Sequence, residues 1–194
     1  LVGLVVWFRR REGKRALWVP GTGLKASAWI FIPVILVAVC DFAIEVASAS
    51  VWDEVKVDVP QHEELVRITG RQFAWSFTYA GEDDMLDTDD DFTTVGELHI
   101  PRDKVVRFEL ESLDVIHSFF VPAMRLKQDA VPGRSIPGWF DANENGRYEI
   151  ACAELCGASH TQMRAELVVQ SPENFDSWAR AAATQQTLTK MESN

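Results

Sequence analysis

The chain has 194 residues, of which 47% are hydrophobic, and a formal net charge of -10. This length accommodates one domain of ordinary size together with a membrane anchor. The negative charge excludes nucleic acid as a partner, because binding to a phosphate backbone requires clustered positive charge. A cationic partner is favoured instead.

An apolar stretch covers residues 24–47. As a helix it would extend about 36 Å, which exceeds the roughly 30 Å hydrocarbon core of a bilayer. Near its outer end, Asp41 and Glu45 either approach the outer membrane interface or face a partner protein, or they contribute to a proton pathway. Basic residues precede the stretch and acidic residues follow it, so the positive-inside rule places the basic loop in the cytoplasm and the following domain outside.

Residues 1–8 are also apolar, but as a helix they would cover only about 12 Å, too short to cross a bilayer. We therefore expect the chain to begin inside a truncated first transmembrane helix, so that the anchor is a helical hairpin. The anchor and its basic cytoplasmic loop are predicted to occupy residues 1–50, and a linker is predicted over residues 51–63.

Short apolar segments separated by Gly, Pro and Asn-Gly turns predict strands at 65–69, 72–79, 97–100, 105–110, 119–121, 147–151 and 165–170. Many short strands with frequent turns indicate a small sandwich or barrel, here over residues 64–170. The C-terminal segment, residues 171–194, is predicted to be a helix and tail. Its helix covers residues 172–186, with Pro172 in the first turn and apolar residues along one face.

An acidic run without a basic residue lies between residues 81 and 91. It is either a solvated loop or a docking surface that attracts a basic partner over a long range. Calcium binding is a third possibility, but the run lacks a regular ligand spacing. The first two interpretations are equally supported by the sequence.

Two cysteines, one histidine and one methionine lie close together within residues 152–163. Thiolate, imidazole and thioether suit copper best, and methionine is a usual weak ligand in electron-transfer copper sites. Cys152 and Cys156 could each bridge two metal ions, and each ion would then need one histidine. A disulfide between them is the alternative in an oxidising compartment, but it explains neither His160 nor Met163. The favoured interpretation is redox chemistry at copper.

The second histidine must come from elsewhere in the chain. His117 is the best candidate, because it stands at the edge of an apolar strand. His62 lies among charged residues near the anchor, and His99 lies in a strand before a proline. We expect both of these to be ordinary surface or core residues.

Residues 152–163 contain the pattern Cys-x-Glu-x-Cys-x-x-x-His-x-x-Met, and residues 114–119 read Asp-x-x-His-Ser-Phe. With these patterns the chain closely resembles subunit II of the haem-copper cytochrome c oxidases, from the basic loop to about Gln170. The resemblance implies an all-β, cupredoxin-like Greek-key barrel preceded by the α-helical transmembrane hairpin. In that family the patterns bind the binuclear copper A centre.

The resemblance also implies a role for each metal-site residue. The two thiolates would bridge the coppers, each histidine would bind one copper, and the methionine sulfur and the glutamate carbonyl would be weak ligands. The glutamate side chain would bind a magnesium ion shared with the large subunit. The residues so implied are His117, Cys152, Glu154, Cys156, His160 and Met163.

By the same resemblance, the chain accepts electrons from a cytochrome c, or a cytochrome c domain, and passes them to haem in subunit I for oxygen reduction coupled to proton pumping. Its partners would be subunit I, other oxidase subunits, cytochrome c and membrane lipid. It would lie in the inner (plasma) membrane of the cell, with the copper domain on the outer, periplasmic face.

Electrons would enter near Phe73 and Trp75, where the family usually has two tryptophans. Because the first of these is a phenylalanine here, the docking geometry is expected to differ from that of other members. The predicted docking residues are acidic: Glu82, Asp83, Asp84, Asp87, Asp89, Asp90, Asp91 and Asp114.

Two other functions are compatible with parts of the sequence. A membrane-anchored copper-delivery protein would use the Cys-x-x-x-Cys pair to hold one copper, but the methionine, the glutamate and the strand pattern argue against it. A structural subunit of a quinol oxidase would share the fold, but the complete ligand set argues against it. No Cys-x-x-Cys-His haem motif occurs, so the electron donor is expected to be a separate protein or subunit.

Overall fold

The computed structural model of the chain describes residues 2–15, 23–61 and 63–192, so that His62 lies outside the described residues. The chain divides into two compact units, Leu1–Val51 and Trp52–Asn194.

The N-terminal unit is helical. Helix α1 comprises Val2–Phe8 and helix α2 comprises Leu24–Trp52. The helical stretch Ser27–Val57 has a mean hydropathy of 2.4 and is 0% buried within its apolar window. Within the described residues it is the one helix whose length and composition would let it cross a membrane. Helix α1 has seven residues, too few to cross a bilayer.

The second unit is built from two five-stranded sheets. The first has the order β3-β2-β1-β5-β8 and the second the order β4-β10-β9-β6-β7. The strands are β1 Glu64–Arg71, β2 Ala74–Tyr79, β3 Phe92–Val95, β4 Glu97–Pro101, β5 Val106–Ser112, β6 His117–Val121, β7 Leu126–Ala130, β8 Ile136–Phe140, β9 Gly146–Cys152 and β10 Arg164–Gln170.

Both sheets mix parallel and antiparallel pairs. In the first sheet β1 runs parallel to β5 and antiparallel to β2, and in the second β10 runs parallel to β4 and antiparallel to β9. Buried and less buried residues alternate along β1, β2 and β5, so each strand turns one face to the core. The predicted strand-rich barrel is therefore present.

Aromatic rings fill the space between the two sheets. The Phe119 ring centroid lies 5.4 Å from that of Trp75, 6.5 Å from that of Phe77 and 6.3 Å from that of Phe108. All four side chains are almost fully buried. Such edge-to-face packing fixes the rings as well as burying them, which gives the barrel a rigid interior.

A C-terminal helix, α3, comprises Pro172–Glu192 and packs near the strand β4. Its Trp178 ring stacks on the His99 ring, with centroids 4.0 Å apart and planes 7° apart. The Tyr79 hydroxyl donates to the His99 carbonyl and accepts from the His99 amide, at 3.1 and 2.8 Å. His99 is thus part of the packing between helix and barrel.

Candidate metal centre

Three connections between strands meet at one end of the barrel. The β1–β2 turn and the β5–β6 loop lie side by side because β1 and β5 are parallel, with Gly70 paired to Ser112. The β9–β10 loop joins them because β9 ends at Cys152 beside the start of β6. A Cβ atom on Gly70 would lie 3.1 Å from the His117 ring, so the absence of a side chain there lets the two sheets approach.

The first half of the candidate centre is formed by His117 and Cys152, the ends of two neighbouring strands. The Nδ1 atom of His117 lies 3.9 Å from the Sγ atom of Cys152. The Cys152 amide donates to the Met163 carbonyl at 3.1 Å, which closes the base of the β9–β10 loop. Both side chains are buried, so the barrel itself holds these two donors.

The second half lies within the β9–β10 loop. The Sγ atom of Cys156 is 3.8 Å from that of Cys152, 3.6 Å from His160 Nδ1 and 3.8 Å from Met163 Sδ. Both cysteines are free thiols, and the distance between their sulfurs far exceeds the approximately 2.05 Å of a disulfide bond. The disulfide alternative is therefore not what the structure shows.

The backbone of Glu154 belongs to the cluster, whereas its side chain does not. Its carbonyl oxygen lies 3.3 Å from Cys152 Sγ, within the cluster. Its side chain is exposed to solvent. All six residues that the sequence predicts for the metal site are thus brought to one place, with five of them contributing side chains to the cluster and Glu154 its carbonyl.

The pKa of a thiol is raised on one side of the cluster, and the pKa of a carboxyl group beside the imidazole is lowered on the other. Burial raises the pKa of the Cys156 thiol to about 11, and the adjacent Cys152 sulfur adds to the shift. Asp114 accepts a hydrogen bond from His117 Nε2 at 2.8 Å. Burial opposes ionisation of Asp114, but hydrogen bonds from the Gln72 amide, the His117 ring and the Val115 amide lower the pKa of its carboxyl.

Comparisons with known proteins relate this cluster to a family. A sequence model described as the periplasmic domain of cytochrome c oxidase subunit II matches residues 80–171. The alternative cytochrome c oxidase subunit 2 of Bradyrhizobium diazoefficiens is 32% identical over an aligned stretch of 199 residues, and the match covers 91% of this chain and 70% of that protein. The chain belongs to the cytochrome c oxidase subunit II family.

Other members of the family match parts of the chain. The cytochrome c oxidase subunit 2 of Thermostichus vulcanus is 46% identical over 117 residues, or 60% of this chain, and the match covers only 32% of that protein. The chain thus spans about a third of that relative. The crystal structure of the periplasmic domain of subunit II (CoxB) from Bradyrhizobium japonicum is 31% identical, with a TM-score of 0.58, and the match covers 66% of this chain and 98% of that domain. The predicted cupredoxin-like fold is confirmed.

The donor set fits the copper centre of the family. Ligand atoms of His117, Cys152 and Cys156 all lie within 4.8 Å of one another. Two adjacent thiols, each beside one imidazole nitrogen, and a nearby thioether are the soft donors that copper prefers.

The two aromatic residues predicted to admit electrons are placed differently. Trp75 is 0% exposed, and its ring centroid lies 5.9 Å from that of His117. Phe73 is partly buried and lies beside the β9–β10 loop, which carries Cys156 and is called the cysteine loop below. A Cβ atom on Gly157 of that loop would be 3.0 Å from the Phe73 ring. Phe73 therefore lies nearer the surface, and Trp75 forms part of the interior behind the site.

The acidic run between residues 81 and 91 lies in the loop between β2 and β3, and this acidic loop is distant from the metal cluster. It follows Tyr79, whereas Trp75 at the other end of β2 lies beside His117. Four residues of strand correspond to about 13 Å. The loop is held to β1 by Arg67, which donates two hydrogen bonds to the Asp87 carboxylate at 2.6 and 2.9 Å.

Two residues have roles at the cluster that the sequence did not reveal. Asp114, predicted as a docking residue, is hydrogen-bonded to His117, and the Asp-x-x-His spacing was a usable signal for this pair. Gln72 donates from its side chain to the Cys156 carbonyl at 2.6 Å. No pattern in the sequence indicates this contact, since 84 residues separate its partners.

Proposed function

We propose that the chain is the subunit of a haem-copper oxidase that receives electrons from a cytochrome c, or a cytochrome c domain, and passes them to haem in subunit I. The observation that carries this proposal is the pair of buried sulfurs, 3.8 Å apart, each with one imidazole nitrogen beside it. When bound there, two coppers would take up and release one electron. Oxygen reduction and proton pumping would take place in the partner subunits.

The residues of the chain hold the donors in place. His117, Cys152, Cys156 and His160 would be the principal ligands, with Met163 as a weak one, and the carbonyl of Glu154 would be another weak ligand. The side chains of the two cysteines, His117 and Met163 are shielded from water, and that of His160 is half-buried. They rest on strands or on a loop closed by backbone hydrogen bonds. A rigid site needs little rearrangement when its charge changes, which favours fast electron transfer.

We further propose the cellular setting. Residues 1–50 anchor the protein in the inner (plasma) membrane, residues 51–63 form a linker, residues 64–170 form the copper domain on the periplasmic face and residues 171–194 form the C-terminal helix and tail. Subunit I and other oxidase subunits are protein partners, and lipid surrounds the anchor. The exposed Glu154 side chain is available for a magnesium ion at the interface with subunit I.

Docking of the electron donor is proposed to use two different surfaces. Phe73 and the loops around the cluster provide the point where electrons enter, with Trp75 behind them. The acidic loop lies at the opposite end of β2, so it acts by attracting a basic donor over a distance rather than by direct contact with the redox site. Such attraction weakens beyond about 10 Å at an ionic strength of 0.1 M.

The experiment that tests this function is rapid mixing of the copper-loaded chain, in detergent, with a reduced basic cytochrome c. Electron transfer is expected to bleach the thiolate-to-copper absorption as the cytochrome is oxidised. A centre that binds copper but accepts no electron from the cytochrome would contradict the proposal. One copper per chain, transferred to an acceptor protein, would support copper delivery instead.

A further inference from the structure

Gln72 links two parts of the cluster that are distant in sequence. Its side-chain Nε2 donates to the carbonyl oxygen of Cys156 at 2.6 Å. Its backbone amide donates to Asp114 Oδ2 at 2.8 Å. A single residue of the β1–β2 turn is therefore bonded to the cysteine loop on one side and to the β5–β6 loop on the other.

The contact with Asp114 reaches the His117 ring. Asp114 Oδ1 accepts hydrogen bonds from His117 Nε2 at 2.8 Å and from the Val115 amide at 2.7 Å. A carboxylate oxygen accepts hydrogen bonds, so the Nε2 side of the ring is held against Asp114 and the Nδ1 side is directed to the cluster. Nδ1 is the atom that faces Cys152. The bond from Gln72 thus holds the carboxylate that sets the orientation of this imidazole.

The contact with Cys156 depends on the absence of a side chain at the next residue. Gly157 has a φ of +138°, and a Cβ atom there would lie 2.8 Å from Gln72 Nε2. The glycine therefore gives the amide of Gln72 access to the Cys156 carbonyl. Because this bond fixes the peptide plane that follows Cys156, it restricts where the sulfur of that residue can lie.

We propose that Gln72 is a positioning residue that fixes Cys156 relative to His117, so that the two halves of the metal centre are held at a preset separation before metal binds. This inference rests on the proposed copper function. Gln72 touches neither metal nor electron donor in this role, and acts only through its two hydrogen bonds. Residues that orient metal ligands typically contribute about 10- to 100-fold to metal affinity.

The test replaces Gln72 with methionine, which keeps the length of the side chain but removes the donor. The matched control is Gln162→Met, because Gln162 is exposed in the same loop and its side chain makes no hydrogen bond within the described residues. Both variants of the full chain are loaded with copper in detergent. Copper release to a chelator is measured together with the paramagnetic resonance spectrum and the thermal midpoint of the metal-free protein.

Gln72→Met is expected to release copper about 10- to 100-fold faster than the wild type and to alter the copper hyperfine pattern. The thermal midpoint of the metal-free variant should equal that of the metal-free wild type. Gln162→Met should match the wild type. Equal release rates for Gln72→Met and the wild type would overturn the inference. A large fall in the thermal midpoint of the metal-free protein, both in Gln72→Met and in Gln72→Glu, would also overturn the inference. Gln72 would then be needed for the stability of the fold rather than for positioning the metal ligands. Failure of the copper proposal itself would appear separately, as a wild type that does not hold two coppers.

Discussion

The Nδ1 atom of His117 and the Sγ atom of Cys152 lie 3.9 Å apart, although 35 residues separate them in the chain. Strands β6 and β9 bring them together, because Phe119 pairs with Cys152 in the register of the sheet. The geometry of this pair therefore comes from the barrel and not from the cysteine loop. It follows that the fold should survive the loss of a single ligand.

Cys156→Ser tests this separation of site and fold. We expect the variant to lose the binuclear centre, because a hydroxyl cannot replace the second bridging thiolate. The barrel should remain folded, with a free energy of unfolding changed by about 1 kcal/mol in the metal-free state. Copper content, the resonance spectrum and denaturant unfolding measure the two effects.

Cys40→Ser is the matched control, because Cys40 is an exposed thiol on the apolar helix α2. It should hold as much copper as the wild type. An unchanged copper content in Cys156→Ser would argue strongly against the ligand assignment.

The sequence predicted the central strands better than the edge strands. The seven predicted segments correspond to β1, β2, β4, β5, β6, β9 and β10, but β3, β7 and β8 were missed. These three strands lie at sheet edges, where fewer apolar residues are required and pairing with a neighbour decides the structure. β7, for example, reads Leu-Lys-Gln-Asp-Ala, which lacks a clear alternating pattern.

The same contrast holds at the site. The predicted metal-site residues could be grouped from the sequence because their spacing forms a specific pattern and resembles a known family, and the structure brings them together. The contact of Gln72 with Cys156 and the distance of the acidic loop from the cluster depend on how the sheets pack. Neither could be predicted from local sequence.

Met163→Leu tests the role of the thioether. The side chain is fully buried, and a swap of similar volume should cost less than about 1.5 kcal/mol in stability. We expect both coppers to be retained and the reduction potential to rise, because a donor that stabilises the oxidised form is lost. Redox titration measures this change. Met124→Leu, at a half-buried methionine outside the cluster, should leave the potential unaltered. A potential equal to that of the wild type in Met163→Leu would argue against the thioether as a ligand.

Glu64 should make the stability of the barrel depend on pH. Burial raises the pKa of Glu64 to about 7, repulsion from Asp176, Asp84 and Glu63 adds to the shift, and Lys104 opposes it. The folded state therefore binds the proton more tightly than the unfolded chain, and stability falls as pH rises from about 4.5 to 7. Above this range the charged carboxylate costs about 1 to 3 kcal/mol.

Replacing Glu64 with glutamine removes this cost. We expect Glu64→Gln to unfold at a higher temperature than the wild type at pH 8 and at the same temperature at pH 4. Glu144→Gln, at an exposed glutamate, should show no such difference. Parallel pH profiles for Glu64→Gln and the wild type would show that Glu64 does not titrate in the proposed range.

The double variant Glu82→Gln with Asp89→Asn tests long-range attraction by the acidic loop. Both side chains are exposed. The loop is held by Asp87, which is bonded to Arg67, and by Asp90, which accepts from the backbone amide of Glu82, and both substitutions keep these bonds. We expect the association rate with a basic cytochrome c to fall several-fold at low ionic strength, with the difference disappearing at high ionic strength. Stopped-flow mixing at several salt concentrations measures it.

A control with the same change in net charge is Asp141→Asn with Glu144→Gln, at two exposed positions outside the loop. If this control slows association as much as the loop variant does, the effect belongs to net charge and the loop has no particular role.

Whether this chain holds two coppers that share one electron is tested most directly by the copper stoichiometry of the loaded full chain, measured together with its paramagnetic resonance spectrum. We expect two coppers per chain and a seven-line hyperfine pattern, because one unpaired electron is shared equally by two copper nuclei. One copper per chain with a four-line pattern, or no bound copper, would contradict this expectation.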